Sequence, residues 1–166
     1  MIVPGANKTT LIIGAGLVGA NYAKRVINSG KNVIATVSEL DSEQGVFERR
    51  TFPDGLPERT EINFAGKRAV HYGSHNQSVI LTPLNLFEEE IAPILTAGGD
   101  TIDTIVNAVN LGTIFGIRAL QKEVSELQLF RFCHDYHVAL VNYARQSGNR
   151  IRHLLVSTTG SGGIVI

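Results

Sequence analysis

The sequence predicts an α/β fold in which a doubly wound parallel sheet is covered by helices on both faces. Short apolar, β-branched runs alternate with amphipathic stretches along the 166 residues, which is the order of parallel strands joined by helical crossovers. Hydrophobic residues make up 43% and charged residues 18%, which is typical of a globular chain that can bury a core. We therefore expect residues 1–166 to form a single domain.

The first strand is predicted at Thr9–Ile13 and the first helix at about Leu17–Asn28. The strand is a short β-branched and apolar run, whereas the helix carries apolar residues at helical spacing and stops at Gly30. Val33–Val37 is a second apolar, β-branched run. Strand, helix and strand form a βαβ unit, so we expect a right-handed crossover and two parallel strands.

The chain from about residue 38 to residue 77 is the least regular part. Glycines and prolines interrupt it, and it contains the charged stretch Glu48-Arg49-Arg50. We expect a short helix near residues 41–49, a loop through Arg59 and a minor strand around residues 68–71.

The second half of the chain resumes the alternation of strands and helices. The expected elements are a third strand at 78–81, a helix at about 86–97, a fourth strand at 103–109, a helical stretch at about 114–146 broken between residues 122 and 129, and a fifth strand at 153–157. The expected strand order is 3-2-1-4-5. A crevice is then expected at the carboxyl ends of strands one and four, where the order reverses.

Residues 14–19, Gly-Ala-Gly-Leu-Val-Gly, have the spacing of a phosphate-binding turn. Gly14 permits a tight turn off the strand, Gly16 lets a pyrophosphate approach the backbone, and Gly19 lets the helix lie close to the sheet. The backbone around Gly14, Gly16, Leu17 and Val18 would surround the pyrophosphate. The free N–H groups and the dipole at the start of the helix attract phosphate. The sequence therefore predicts a Rossmann-like domain that binds NAD or NADP.

Two neighbouring residues are candidates for the adenosine ribose. Glu39 lies twenty residues after Gly19 and would favour NAD by repelling a 2′-phosphate. Ser38, with Arg49 or Arg50 folded back toward it, would instead favour NADP. Glu39 could equally be a solvated loop charge.

Three stretches, in chain order, resemble one known family. Residues 11–19 resemble its first strand and glycine turn, and residues 103–108 are similar to its fourth strand. Residues 143–148 and 154–159 resemble the helix and fifth strand before its catalytic Ser/Thr. The family is the extended short-chain dehydrogenase/reductases, which include nucleotide-sugar epimerases and dehydratases.

The resemblance implies a reaction and further site residues. The reaction would be hydride transfer at a hydroxyl or carbonyl carbon of a small or nucleotide-linked substrate, as net oxidoreduction or as a step of epimerisation or dehydration. Asn107 and Ala108 would face the cofactor, although Asn107 could also satisfy only backbone groups at the strand end. Thr159, or else Thr158 or Ser157, would stand at the catalytic Ser/Thr position.

The chain departs from the family pattern in two places. The catalytic pair Y-x-x-x-K is absent, because none of the four tyrosines has a lysine four residues later. The Gly-Asp after the third strand is matched by Pro83-Leu84, although Asn85 lies nearby. We expect the cofactor-binding part of a longer enzyme, cut after strand five, whose substrate-binding part is absent. The alternative is a non-catalytic dinucleotide-sensing or scaffold protein.

Composition argues against several other functions. Fifteen basic and fifteen acidic side chains cancel, so no nucleic-acid or membrane partner is expected, and no apolar run approaches the ~20 residues of a membrane span. The single Cys133 is expected to be buried and inert. His134 and His137 have no third ligand placed by the sequence, so no metal is expected. We expect a cytoplasmic protein whose partners are a dinucleotide and a small-molecule substrate, with a homo-oligomer possible through strand five.

Overall fold

The computed structural model describes residues 8–74, 77–109 and 125–156. In chain order the elements are β1 (Thr9–Ile13), α1 (Leu17–Asn28), β2 (Asn32–Val37), α2 (Leu40–Thr51), β3 (Glu58–Phe64), β4 (Lys67–Ser74), β5 (Gln77–Pro83), α3 (Ala92–Gly98), β6 (Ile102–Asn107), α4 (Glu126–Phe130), α5 (Tyr136–Ser147) and β7 (Arg152–Leu155). A 3₁₀ turn joins α3 to β6, and a π-helical turn joins α4 to α5. Within these ranges, no helix has the length and apolar character that crossing a bilayer requires.

The described strands form one sheet of seven in the order β3-β4-β5-β2-β1-β6-β7. The strands β5, β2, β1, β6 and β7 are all parallel to their neighbours within this set. They are the five predicted strands, and they follow the predicted order 3-2-1-4-5. The Rossmann-like α/β fold class is therefore confirmed, and the order reverses at β1, between β2 and β6.

The predicted loop through Arg59 is wrong, because β3 begins at Glu58 and pairs antiparallel with β4. Ala65 and Gly66 join the two strands with φ of 53° and 78°, the positive values that a tight two-residue hairpin turn requires. The strand β3 is exposed except near its carboxyl end, where two apolar side chains pack against the core. It is held by its pairing with β4, which contains the minor strand predicted at residues 68–71.

Two helix predictions also need correction. The helix predicted at 86–97 begins only at Ala92, because Asn85 Oδ1 accepts a hydrogen bond from the Phe87 N–H at 3.1 Å and holds the preceding residues in a turn. In the second half, residues 110–124 of the predicted helical stretch lie outside the described residues. A helix begins at Glu126, inside the predicted break, where Ser125 and Gln128 form a reciprocal capping box.

Alternate residues of β1 face two separate halves of the core. Leu11 belongs to a cluster with Ile94 of α3 and Leu140 of α5. Its neighbour Ile12 belongs to a second cluster, with Ala20 of α1. Because successive strand residues point to opposite faces, the helices cover both faces of the sheet as predicted.

Candidate functional site

The turn between β1 and α1 is anchored to β2. Gly14 has a φ of +82°, in the left-handed region that glycine adopts without strain. Its N–H donates to Thr36 Oγ1 at 3.1 Å, and the N–H of Ala15 donates to the Thr36 carbonyl at 2.7 Å. Since Thr36 is buried within β2, the turn is fixed over the carboxyl ends of the parallel strands.

The three glycines of the turn have different surroundings. A Cβ on Gly14 would lie 2.9 Å from Val109 Cγ2, and a Cβ on Gly19 would lie 2.4 Å from the carbonyl oxygen of Gly14. Both glycines are therefore required by the packing of the protein itself. A Cβ on Gly16 would meet no heavy atom within 4 Å, so the packing of the described residues does not require that glycine.

A cavity of about 460 Å³ lies against this turn. Its walls come from the glycine turn, the end of β2, the first turn of α2, residues 84–87 after β5, residues 108–109 after β6, and Phe132. This is the carboxyl edge of the sheet at the point where the strand order reverses, which is where open α/β sheets bind their ligands. The volume lies within the range of small-molecule sites.

Most of the predicted cofactor residues line this cavity. Those that do are Gly14, Gly16, Leu17, Val18, Ser38 and Ala108. The side chains of Leu17 and Val18 are 61% and 51% exposed, which is unusual for apolar residues and leaves the start of α1 open. The predicted residues Gly19, Glu39 and Asn107 are not part of the lining.

The start of α1 offers free backbone donors to the cavity. The N–H of Ala20 bonds to the Gly16 carbonyl at 2.9 Å. The N–H groups before it have no helical acceptor, because the first turn of a helix has no preceding carbonyls to bond. Together with the helix dipole, they form a site for a phosphate group.

Asn107 supports the cavity wall from behind. It is only 3% exposed, and its Oδ1 accepts a hydrogen bond from the N–H of Val109 at 3.1 Å. The neighbouring Ala108 N–H donates to the carbonyl of Ile13 at 2.8 Å. Asn107 thus satisfies a backbone group at the strand end, which is one of its two predicted roles, and it fixes Ala108 and Val109 against β1.

Glu43 lines the cavity and was missed in the sequence. Its Oε2 accepts hydrogen bonds from Ser38 Oγ at 3.0 Å and from the Glu39 N–H at 2.7 Å. Glu39 itself is exposed at the N-cap of α2. A carboxylate in the first turn of a helix is stabilised by the helix dipole. The position of Glu43 near the start of the predicted helix was therefore the signal in the sequence that could have identified it.

After β5, Leu84 and Asn85 line the cavity, whereas Pro83, the first residue of the pair matched to Gly-Asp, does not. The N–H of Leu84 donates to the Val37 carbonyl at 2.8 Å and ties this segment to β2. Asn85 therefore lies beside the cavity, as its position after Pro83-Leu84 suggested.

The predicted catalytic position, Thr159, and its alternatives Thr158 and Ser157 lie outside the described residues. Among the described residues, the buried Tyr136 and the partly buried His153 form an acid–base pair whose hydroxyl and Nε2 atoms are 3.0 Å apart. Burial raises the pKa of the Tyr136 phenol, although Asn107 opposes the shift, and burial together with His137 lowers the pKa of His153. Tyr136 does not line the cavity at the glycine turn, so this pair ties α5 to β7.

Cys133 is exposed, so the prediction that it is buried is wrong. It lies in the π-helical turn, where Phe132 is the residue that packs into the core. His137 Nδ1 is 2.6 Å from the Cys133 carbonyl, and His134 Nδ1 is 2.9 Å from Asp135 Oδ1. Within residues 8–74, 77–109 and 125–156, no group of three or more metal-ligating side chains is found.

A second cavity of about 590 Å³ lies between the turns after β5, α3 and α5. Its described lining includes Glu88, Glu89, Glu90 and Asp135, with Arg131 as the one cation among the described residues there. Four carboxylates disfavour a diphosphate, and no predicted cofactor residue lies there. The smaller cavity at the glycine turn is therefore the candidate site.

Comparison with solved structures supports the fold. A doubly substituted variant of a Serratia marcescens short-chain dehydrogenase/reductase aligns with 99% of this chain at a TM-score of 0.52 and 16% identity. This chain spans 60% of the length of that enzyme. The structure of HlmI aligns with 95% of this chain and 64% of its own length, but a TM-score of 0.26 at 8% identity carries no argument. No protein-family model and no curated protein matches the sequence.

Proposed function

We propose that this chain is the NAD(P)-binding domain of an oxidoreductase or of an epimerase/dehydratase of the extended short-chain dehydrogenase/reductase type. The observation that carries the proposal is Gly16. Gly14 and Gly19 are explained by the protein's own packing, whereas no heavy atom of the described residues lies within 4 Å of a Cβ at Gly16. A ligand that needs close contact with the backbone would account for this glycine, and a pyrophosphate is such a ligand.

The lining of the cavity supports a position for each of the other parts of a dinucleotide. The backbone of Gly14, Gly16, Leu17 and Val18 would hold the pyrophosphate at the start of α1. Ser38, at the end of β2, lines the cavity and would contact the adenosine ribose, whereas Glu39, the other residue predicted for that contact, is exposed and outside the lining. On the other side of the turn, Ala108 would form the wall beside the nicotinamide half, held in place by Asn107.

The absence of basic side chains from the described lining is consistent with this mode of binding. The phosphates would be held by N–H groups and by the dipole of α1 rather than by lysine or arginine. The apolar side chains of Leu17 and Val18, at the open end of the cavity, would exclude water from the bound cofactor.

Bound NAD(P) would supply the hydride acceptor or donor at a hydroxyl or carbonyl carbon of a small or nucleotide-linked substrate. In this chain, Thr159 is proposed to hydrogen-bond the reacting oxygen. No tyrosine of the chain is followed by lysine four residues later, so the family's proton-transfer pair has no counterpart in these 166 residues. The activity and substrate of the whole protein therefore form part of the proposal.

Cofactor titration tests the proposal directly. We expect NADH or NADPH fluorescence to change saturably when the chain is added. Gly16→Val should abolish the change, because its side chain enters the cavity where the pyrophosphate approaches. Gly45→Val is the matched control, since Gly45 is an exposed glycine of α2 that does not line the cavity. Unchanged binding by Gly16→Val would show that the turn does not hold phosphate.

A second candidate function is non-catalytic dinucleotide sensing or scaffolding, which the missing tyrosine–lysine pair favours. The two candidates predict the same binding but different chemistry. The polypeptide encoded by the full reading frame should oxidise or reduce a cofactor in the presence of hydroxylated or nucleotide-linked substrates if it is an enzyme. Tight cofactor binding with no turnover across such a panel would favour the sensing role.

A further inference from the structure

The end of β2 and the first turn of α2 form one wall of the glycine-turn cavity. With a pyrophosphate at the start of α1, the adenosine ribose of a dinucleotide lies at the end of the second strand. The polar side chains of the described lining there are Ser38, Glu43 and Thr36, and the Thr36 hydroxyl oxygen already accepts a hydrogen bond from the glycine turn. The ribose 2′-position is where NAD carries a hydroxyl and NADP carries a phosphate, so this wall would face the group that distinguishes them.

Glu43 already occupies the donors that a 2′-phosphate would need. Its Oε2 accepts from Ser38 Oγ at 3.0 Å and from the Glu39 N–H at 2.7 Å. A hydroxyl and a helix-terminal N–H are the groups that would otherwise hold an anion at the start of α2. A 2′-phosphate would therefore find both donors bonded and would face a carboxylate of like charge.

No nearby cation offsets this charge among the residues that the structure describes. The described lining of the cavity contains no lysine, arginine or histidine. Arg49 and Arg50 lie in the last turn of α2, about 15 Å along the helix axis from its start. Arg68 makes ion pairs with Asp41 and Glu61. The arginines proposed from the sequence to fold back therefore do not line this wall.

We propose that Glu43 makes this chain selective for NAD(H) over NADP(H), an inference that rests on the proposed dinucleotide binding. Glu43 is then the residue that determines cofactor specificity. Its Oε2 stays bonded to Ser38 and the Glu39 backbone, which directs the carboxylate into the ribose subsite. There Oε1 accepts a hydrogen bond from a ribose hydroxyl and repels a 2′-phosphate.

The test measures NADH and NADPH dissociation constants, by cofactor fluorescence, for the wild-type chain and two variants. The wild-type chain is expected to bind NADH about tenfold or more tightly than NADPH. Glu43→Gln removes the charge but keeps an amide oxygen that can accept from the Ser38 hydroxyl and the Glu39 N–H. It should reduce the ratio of the NADPH to the NADH dissociation constant about tenfold. Glu39→Gln makes the same charge change on the exposed neighbour, and it should alter the preference less than about twofold.

Each outcome decides the matter. A wild-type chain that binds both cofactors equally, or NADPH more tightly, overturns the inference and leaves dinucleotide binding intact. A preference that Glu39→Gln removes and Glu43→Gln preserves overturns the assignment to Glu43. If neither cofactor binds, the proposed function fails and the inference fails with it. Circular dichroism checks that Glu43→Gln folds. If it does not fold, the ratio of NADH to NADPH affinity of the wild-type chain alone supports or overturns the inference.

Discussion

Replacing Gly19 with alanine tests how closely α1 packs against the glycine turn. The new Cβ would lie 2.4 Å from Gly14 O, 3.1 Å from Gly14 C and 3.3 Å from Ile12 Cγ2. Cβ atoms essentially never approach other heavy atoms within 3.0 Å, so the contact must lengthen by at least 0.6 Å (3.0 minus 2.4 Å). The atom it meets is backbone, which cannot rotate away, and therefore the helix or the turn has to move.

The expected cost follows from two opposing effects. Overpacking a well-packed site costs about 1–3 kcal/mol. Alanine recovers up to about 1 kcal/mol of this, because it has a higher helix propensity than glycine. Because the clash is with backbone, we expect the upper part of the overpacking range, about 2–3 kcal/mol, and subtracting about 1 kcal/mol leaves a net loss of stability for Gly19→Ala of about 1–2 kcal/mol. For a domain of this size, such a loss lowers Tm by about 2–8 °C.

Thermal and urea unfolding followed by circular dichroism would measure the loss, with Gly16→Ala as the matched variant. Among the described residues, no heavy atom lies within 4 Å of a Cβ at Gly16, so the loss for Gly16→Ala should be limited to the preference for glycine over alanine at an N-cap and should be smaller than that for Gly19→Ala. The reasoning is refuted if Gly19→Ala unfolds at or above the wild-type temperature, or if Gly16→Ala loses as much stability as Gly19→Ala.

Two further predictions concern the packing of α5. Burial, and to a lesser extent His137, lowers the pKa of His153 in the folded protein. As the pH falls below about 6.5, His153 is therefore protonated more readily in the unfolded protein than in the folded one. The free energy of unfolding should consequently decrease from about pH 6.5 down to the lower pKa of the folded state. His153→Gln should weaken that dependence in urea unfolding between pH 7.5 and 5, and an unchanged slope would contradict the assignment. The Tyr143 hydroxyl donates to the Gly99 carbonyl at the end of α3, so Tyr143→Phe should cost about 1 kcal/mol. A Tm equal to that of wild type would show that this hydrogen bond contributes nothing net.

The parallel part of the fold was predictable because its signals are local. Thr9–Ile13 and Leu17–Asn28 carry uninterrupted strand and helix patterns with clear stops, and both begin and end where the sequence predicts. The strand β3, in contrast, depends on pairing with its partner: residues 58–61 are exposed and polar, and only Ile62 and Phe64 pack against the core, which is too short an apolar pattern to predict a strand. The helix expected from Leu86 begins late because Asn85 holds the preceding turn, an effect that propensity does not include.

The part of the candidate site that depends on the spacing of glycines could be predicted from the sequence. The part that depends on the direction of a helix side chain could not. Gly14 and Gly16 border the cavity as the turn predicts. The spacing rule selected Glu39, yet the carboxylate that lines the cavity belongs to Glu43, one helical turn later. Counting along the chain cannot show that Glu43 turns back to bond the Ser38 hydroxyl, since that depends on where α2 begins.

The β3–β4 hairpin has a consequence for association between molecules. The strand β5 is buried along Ser78–Thr82 and would offer an apolar template to other chains if it stood at the margin of the sheet. The hairpin covers it and places the charged, exposed residues Glu58, Arg59 and Glu61 outermost. Charged side chains on a marginal strand oppose edge-to-edge pairing. The segment that looked least regular in the sequence therefore protects the ordered parallel strands from aggregation on this side of the sheet.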